Sequence, residues 1–336
     1  STAASRSVAI GKNALYAGTA TAAGSIAIGY DSLRNLAGGD ANIAIGYEAL
    51  NAVTQGDNNI ALGYQALKSM AATDGNDANI AIGTNALTAA GASSNVSAYN
   101  IAIGVDSLKA LTTGDNNIVI GTVAGDAMTT MGECIFIGNA AGGAVSTSTA
   151  DGTIAIGQAA LGGATIGLGN IAIGSNALAD ANAAGLHRNT VIGYLAASNV
   201  GSQAPTDNTI LGSSAALALT TSSQNVVIGS AAFSEHTTGA SNTVVGYGAM
   251  NATQAGGTQS DSAGSEHNVF VGKDAGGGAW VDQNMSNCVG IGSGALVGAL
   301  AGNFTDGTVA IGKSALAALT SGAGNVAIGY QALAEN

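Results

Sequence analysis

The sequence predicts an all-β fold, a parallel β-solenoid of about 18 coils with a 17-residue basic repeat, running as one continuous domain over residues 1–336. Three observations carry that expectation. A short apolar stretch ending in Gly recurs from end to end. Its spacing has a fixed minimum with occasional additions. The composition suits a narrow interior: 52 of 336 residues are Gly, aromatics are 4% and charged residues 8%. An ordinary globular chain has about a quarter charged residues and many more large side chains. A core of Ala, Ile, Val and Gly must be thin to be filled.

The repeat is aligned on the Gly that follows each apolar triplet: Gly11, Gly29, Gly46, Gly63, Gly83, Gly104, Gly121, Gly138, Gly157, Gly174, Gly193, Gly212, Gly229, Gly246, Gly272, Gly292, Gly312 and Gly329. The commonest interval is 17, nothing is shorter, and the longest is the 26 between Gly246 and Gly272. A minimum with insertions fits a closed coil of fixed circumference; helical heptads do not absorb additions of two, three or nine residues.

Each column then has a structural reading. The triplet, as in Ile43-Ala44-Ile45, alternates large and small apolar residues and reads as a strand covered on both faces. The residue before the Gly is always Ile, Leu or Val, as at Ile45, Ile82 and Ile103. The residue three before it is Ile or Val except at Thr190, Thr209 and Thr243. Three after the Gly stands Ala in 16 units and Ser in two, Ser32 and Ser107, which implies close backbone approach. A Leu often follows (Leu15, Leu50, Leu67, Leu87), and the segment is expected to form a second short strand before a polar turn such as "TTGDNN", with a short helical turn as the alternative. Four before the Gly, Asn occupies 12 of 18 units, including Asn42, Asn59, Asn79, Asn100 and Asn117, and predicts an amide ladder from coil to coil. Cys134 and Cys288 replace Asn in this column. Eight coils apart, roughly 38 Å at a strand spacing of about 4.8 Å, they cannot join in an intrachain disulfide and read as small packed thiols. Eighteen such coils would stack to roughly 86 Å.

Net charge is −12 with no basic run, which argues against nucleic acid and against anionic membrane surfaces as partners. No apolar run reaches about 18 residues, so no membrane insertion is expected in this segment. The start, "STAASRSVAIG", lacks a signal-peptide hydrophobic region. The repeats run almost to both ends without a polar cap, which suggests either a piece of a longer chain or subunits stacked end to end.

The recurring "NIAIG" followed by a small residue three positions on resembles the N-S-V-A-I-G-x-x-S motif of YadA-type adhesin heads, and "IGYQAL" arrays are similar to repeats in phage tail-fibre proteins. The resemblance covers nearly the whole chain. It implies a left-handed β-roll, homotrimeric association and an extracellular place on a bacterial surface or a virion. The chain departs from the pattern in its 17-residue coil and in Ala where the motif has Ser.

Chemical motifs are weak. "GTVAIGKS", Gly307 to Ser314, matches the phosphate-loop letters, but they arise from strand plus repeat Gly, and Lys313 sits in a variable column. "GIGSG", Gly290 to Gly294, likewise lacks a surrounding βαβ unit. His187, His236 and His267 read as inter-coil loop residues without metal-ligand spacing. Asp57, Asp74, Asp77 and Asp115 match no calcium-loop spacing and read as solvated turns. Tyr30, Tyr47, Tyr64, Tyr194, Tyr247 and Tyr330 all follow the repeat Gly; they fit side-chain stacking at a corner better than a glycan-binding strip. The irregular Thr pattern argues against an ice-binding face.

The expectation is therefore a non-enzymatic, extracellular structural module without cofactor or metal. It would self-associate as a trimer or end-to-end filament and display loops toward a surface glycan or receptor. A phage tail-fibre component binding a host receptor is the alternative. The structural ladder would be Asn42, Asn59, Asn79, Asn100, Asn117, Ile45, Ile82, Ile103, Gly46, Gly63 and Gly83. The 26-residue interval suggests a recognition loop bearing Gln254, Gln259, Asp261 and Glu266, with 84–100 and 273–287 as second choices.

Overall fold

In a computed structural model the chain is an all-β parallel solenoid, and no helix occurs among the described residues. Those are residues 6–17, 23–70, 75–90, 97–145, 151–163, 167–180, 185–200, 205–251, 265–278, 285–298 and 306–335. Two compact units divide it, Ser1–Gly163 and Ala164–Asn336. The first carries β1 (Val8–Ile10), β2 (Ile26–Ile28), β3 (Ile43–Ile45), β4 (Ile60–Leu62), β5 (Ile80–Ile82), β6 (Ile101–Ile103), β7 (Ile118–Ile120), β8 (Ile135–Ile137) and β9 (Ile154–Ile156). The second carries β10 (Ile171–Ile173), β11 (Thr190–Ile192), β12 (Thr209–Leu211), β13 (Val226–Ile228), β14 (Thr243–Val245), β15 (Val269–Val271), β16 (Val289–Ile291), β17 (Val309–Ile311) and β18 (Val326–Ile328). Within each unit every strand pairs in parallel with the next, in strict register: Ile43 lies against Ile60, Ala44 against Ala61, Ile45 against Leu62.

Each strand is the apolar triplet, and the repeat Gly ends it. Gly63 adopts φ +137°, and a Cβ there would lie 2.5 Å from the carbonyl oxygen of Gly83 in the next coil. Only a residue without a side chain lets two backbones approach this closely in that conformation.

Among the described residues the expected second strand is absent; each coil shows one three-residue strand. The corner after the Gly instead alternates left- and right-handed residues. Glu48 has φ 53° and Leu50 has φ 50°, and the same two positions are left-handed in coil after coil. The left-handed region costs an ordinary residue roughly 1–2 kcal/mol. Inter-coil hydrogen bonds offset that cost. Because the backbone alternates, the Glu48 N–H donates to Tyr30 O of the preceding coil at 2.8 Å, and the Leu50 N–H donates to Ala66 O of the following coil at 3.0 Å. The ladder thus continues through the corner although the corner is not β.

The interior is lined by the small mid-strand residue (Ala44), the Ala three after the Gly (Ala49), the left-handed Leu after it (Leu50) and a residue three further on (Val53), all fully buried. Within the single chain only one face of the strand is covered. Its middle residue points in, and its two large residues point out and remain partly solvated, as the burial of β2 and β6 shows. The reason is width: with Leu filling the opposite wall, only a small side chain fits from the strand. Where the strand residue is Phe, the wall gives way. Phe136 replaces the mid-strand Ala in β8, and its coil has Gly142 in place of the Leu; a Cβ at Gly142 would sit 2.5 Å from the Phe136 ring. Phe270 in β15 is matched in the same way by Gly276.

Candidate functional site

Three features of the surface and core bear on function: the amide spine under the turn, the outward aliphatic face and the tyrosine column.

The spine stands on the Asn before each strand. Asn59 is fully buried. Its backbone N–H donates to Asn42 Oδ1 at 2.9 Å, and its own Oδ1 accepts from Asn79 N (2.9 Å) and Asn79 Nδ2 (3.1 Å). Its Nδ2 donates to the turn carbonyl of Asn76 at 2.8 Å. The pattern continues through Asn100 and Asn117, where Asn117 Nδ2 reaches Asn100 Oδ1 at 2.8 Å and Met131 O at 2.9 Å. Asn suits this place because it supplies two donors and a double acceptor without charge. In the second unit the same spine links Asn170, Asn189, Asn208, Asn225, Asn242 and Asn268.

Cys134 and Cys288 occupy this column, fully buried, and accept its geometry only in part. Cys134 N donates to Asn117 Oδ1 at 3.0 Å and the thiol donates to Gly132 O at 3.4 Å. The Thr153 backbone N–H points at the sulfur. Burial pushes both thiols up to about 11, so neither is a nucleophile at neutral pH.

The outward face consists of the two large residues of every strand. Ile45, Ile82, Leu211 and Ile291 are 37–44% exposed, and Ile103 is half-buried. In the first unit, from β2 to β9, these two columns are Ile throughout except for Leu62. In the second, Thr190, Thr209 and Thr243 interrupt the first column.

Three tyrosines in consecutive coils stack beside this face. Tyr30 and Tyr47 rings are 5.1 Å apart at 9°, and Tyr47 and Tyr64 are 5.3 Å apart at 11°. Lys12 Nζ lies 5.7 Å from the Tyr30 ring centre and covers the end of the stack. Stacking closes both faces of Tyr47, which removes the flat platform that a sugar ring needs. Next to it Glu48 accepts from Lys68 Nζ (2.6 Å) and Gln65 Nε2 (2.9 Å). Those bonds hold the Glu48 carboxyl below the usual range, and the Glu48 charge pushes the Tyr47 phenol up.

The acidic turns also have structural work. Asp57 Oδ1 accepts from Asp40 N at 2.7 Å, Asp77 Oδ1 from Asp57 N at 2.7 Å, and Asp115 Oδ1 from Ala98 N at 2.7 Å. Asp74 lies outside the described residues. Among the described residues no three His, Cys, Asp or Glu side chains gather as metal ligands, and no helix is long and apolar enough to cross a membrane.

One histidine differs from its sequence reading. His236 is not a loop residue; it occupies the core column of Val53, fully buried, with its ring 4.1 Å from that of Phe233. Desolvation pushes its pKa down to about 3. The signal was present in the sequence, since His236 stands seven residues after Gly229 as Val53 stands seven after Gly46. The phosphate-loop letters fall on β17 and a left-handed corner at Ser314, and Lys313 Nζ sits 5.9 Å from the Tyr330 ring. Of the suggested recognition loop, Glu266 is described and lies 3.9 Å from His267 Nδ1; Gln254, Gln259 and Asp261 lie outside the described residues. So do 91–96 and 279–284 within the second-choice intervals.

No protein-family model, curated protein or solved structure matches the chain.

Proposed function

We propose that this chain is a structural module of an extracellular fibre: a stiff stacked scaffold that associates with further copies and carries loops toward a cell-surface glycan or receptor. It acts mechanically, without catalysis, cofactor or nucleic-acid partner. The observation that supports this reading best is the contrast across each strand. The mid-strand residue is buried from β2 to β18, while from β2 to β9 two columns of isoleucine, with Leu62 the one exception, remain partly exposed. Contiguous apolar surface of that extent marks an interaction site on a soluble protein. The amide spine supports the mechanical part, because it gives each coil a fixed register on the next without any ligand. Electron micrographs of the purified protein test the reading: rods or filaments are expected, and uniformly globular particles would overturn it.

A further inference from the structure

The tyrosine stack has a chemistry that the scaffold role does not use. Tyr30, Tyr47 and Tyr64 are 39%, 43% and 49% exposed, yet their rings are held parallel at 5.1 and 5.3 Å. The other tyrosines after a repeat Gly lack such neighbours. Tyr194 stands between Ser175 and Ser213 in its column, Tyr247 between Ser230 and Lys273, and Tyr330 follows Lys313. With the ring faces closed by stacking, the accessible parts are the edges, which carry the hydroxyl and the two ortho carbons.

We propose that Tyr47 and its stacked neighbours form an oxidative cross-linking site, at which a one-electron oxidant of the peroxide–peroxidase class joins adjacent coils through a biphenol bridge. The oxidant takes one electron and one proton from each of two phenols and leaves two phenoxyl radicals with spin density on their ortho carbons. Those carbons form one C–C bond. The hydrogen on each joined carbon then shifts to its own oxygen, which restores both aromatic rings and both hydroxyls. The chain loses two protons and two electrons in total, and one hydrogen peroxide takes them up to form two waters.

Register makes the reaction specific. Backbone pairing fixes neighbouring tyrosines about one strand spacing, roughly 4.8 Å, apart. Two radicals so placed meet without diffusion, an advantage that in well-oriented intramolecular reactions equals a very high effective concentration. Isolated tyrosines must wait for another molecule. The raised pKa of the Tyr47 phenol keeps it protonated at neutral pH, so each oxidation releases a proton to the water around the exposed edge. The product ties coils together covalently, which suits a load-bearing fibre but does not depend on that role.

The test treats an equal mixture of isotope-labelled and unlabelled full-length protein, at micromolar concentration, with a haem peroxidase and hydrogen peroxide. Biphenol fluorescence and peptide mass spectrometry are the readouts. Expected is a cross-link of Tyr47 to Tyr30 or Tyr64, two hydrogens lighter than the separate peptides and free of mixed-label species. Tyr47→Phe keeps the stacked ring but separates the two remaining phenols by two coils, so intrachain biphenol should fall about tenfold or more. Tyr194→Phe should leave the yield unchanged. Absence of biphenol, mixed-label products only, or an undiminished yield in Tyr47→Phe would each overturn the proposal.

Discussion

The two faces of one strand differ more than any two coils do. Inward, Ala44 is fully buried, as are Ala49, Leu50 and Val53 of the same coil. Outward, Ile45 is 38% exposed, with Ile82 in the same column at 37%. The smaller side chain is the buried one. Burying a large apolar side chain contributes about 1.5–3 kcal/mol, and in this strand that gain is forgone on the outward side because the Leu of the opposite wall leaves room only for Ala. The contrast teaches that the narrow interior, already occupied by the Leu wall, sets which strand residue is buried, and that the large apolar residues are left outside.

The comparison breaks most completely at the repeat Gly. Gly63→Val would drive a side chain into the Gly83 carbonyl from a φ of +137°, and neither backbone can move without shearing the ladder. The expected result is loss of the folded first unit, seen as loss of the cooperative thermal transition by circular dichroism. A retained transition would show that the coils can separate locally.

Next in size is the inverted pair in β8. Phe136→Ala empties the interior where Gly142 supplies no side chain, at an expected cost of about 3–5 kcal/mol. The double change Phe136→Ala with Gly142→Leu creates the Ala–Leu arrangement of the following coil, Ala155 with Leu161, and should recover most of that loss in denaturant unfolding. Gly142 is already left-handed at φ +61°, so Leu enters a conformation that Leu50 shares.

His236 makes the inward face pH-sensitive. Burial holds its folded pKa at about 3, below the ordinary histidine value of 6.5. Between those values the unfolded chain binds the additional proton, so stability is full above pH 6.5 and falls as the pH drops toward 3, by about 1.4 kcal/mol per unit. Measured on the second unit's unfolding transition, His236→Leu should flatten this dependence.

The amide spine is a smaller effect per residue. Asn79→Ala leaves the Asn100 N–H and the Ser97 carbonyl without their partner, which costs about 1–3 kcal/mol. Hydrogen exchange should show faster opening in the coils on either side. By the same logic the Cys134–Thr153 step, where the spine lacks amides, should exchange faster than the Asn79–Asn100 step in the unaltered protein.

The strands were legible because one column is invariant: each of the eighteen triplets ends at a Gly, and a Cβ there would meet the backbone of the next coil, as at Gly46, Gly63 and Gly83. The Asn column was equally plain, since a residue with two donors and an acceptor has few reasons to recur at a fixed place. The direction of the strand was not legible. Ile-Ala-Ile reads the same with either face inward, and only the Leu on the opposite wall decides that the small residue enters. The corner was misread for a related reason. Leu in the left-handed region runs against local preference, and the bonds that hold it there, such as Leu50 N–H to Ala66 O, come from a coil 17 residues away in sequence. His236 was missed as a core residue because polar character outweighed its place in the column.

The smallest expected effect on stability belongs to the outward face, and it is also the most informative. Ile43→Thr, Ile60→Thr and Ile80→Thr place in the first unit the residue that the second already uses at Thr190, Thr209 and Thr243. Each should change stability by no more than about 0.5 kcal/mol. The deciding measurement is the sedimentation mass of the unaltered chain and of this triple variant across a concentration series. Association through the outward face predicts multiples of 32.0 kDa for the unaltered chain and a shift toward the 32.0 kDa single chain for the variant. A single-chain mass for the unaltered protein at every concentration, or the same multiple for both, would contradict it.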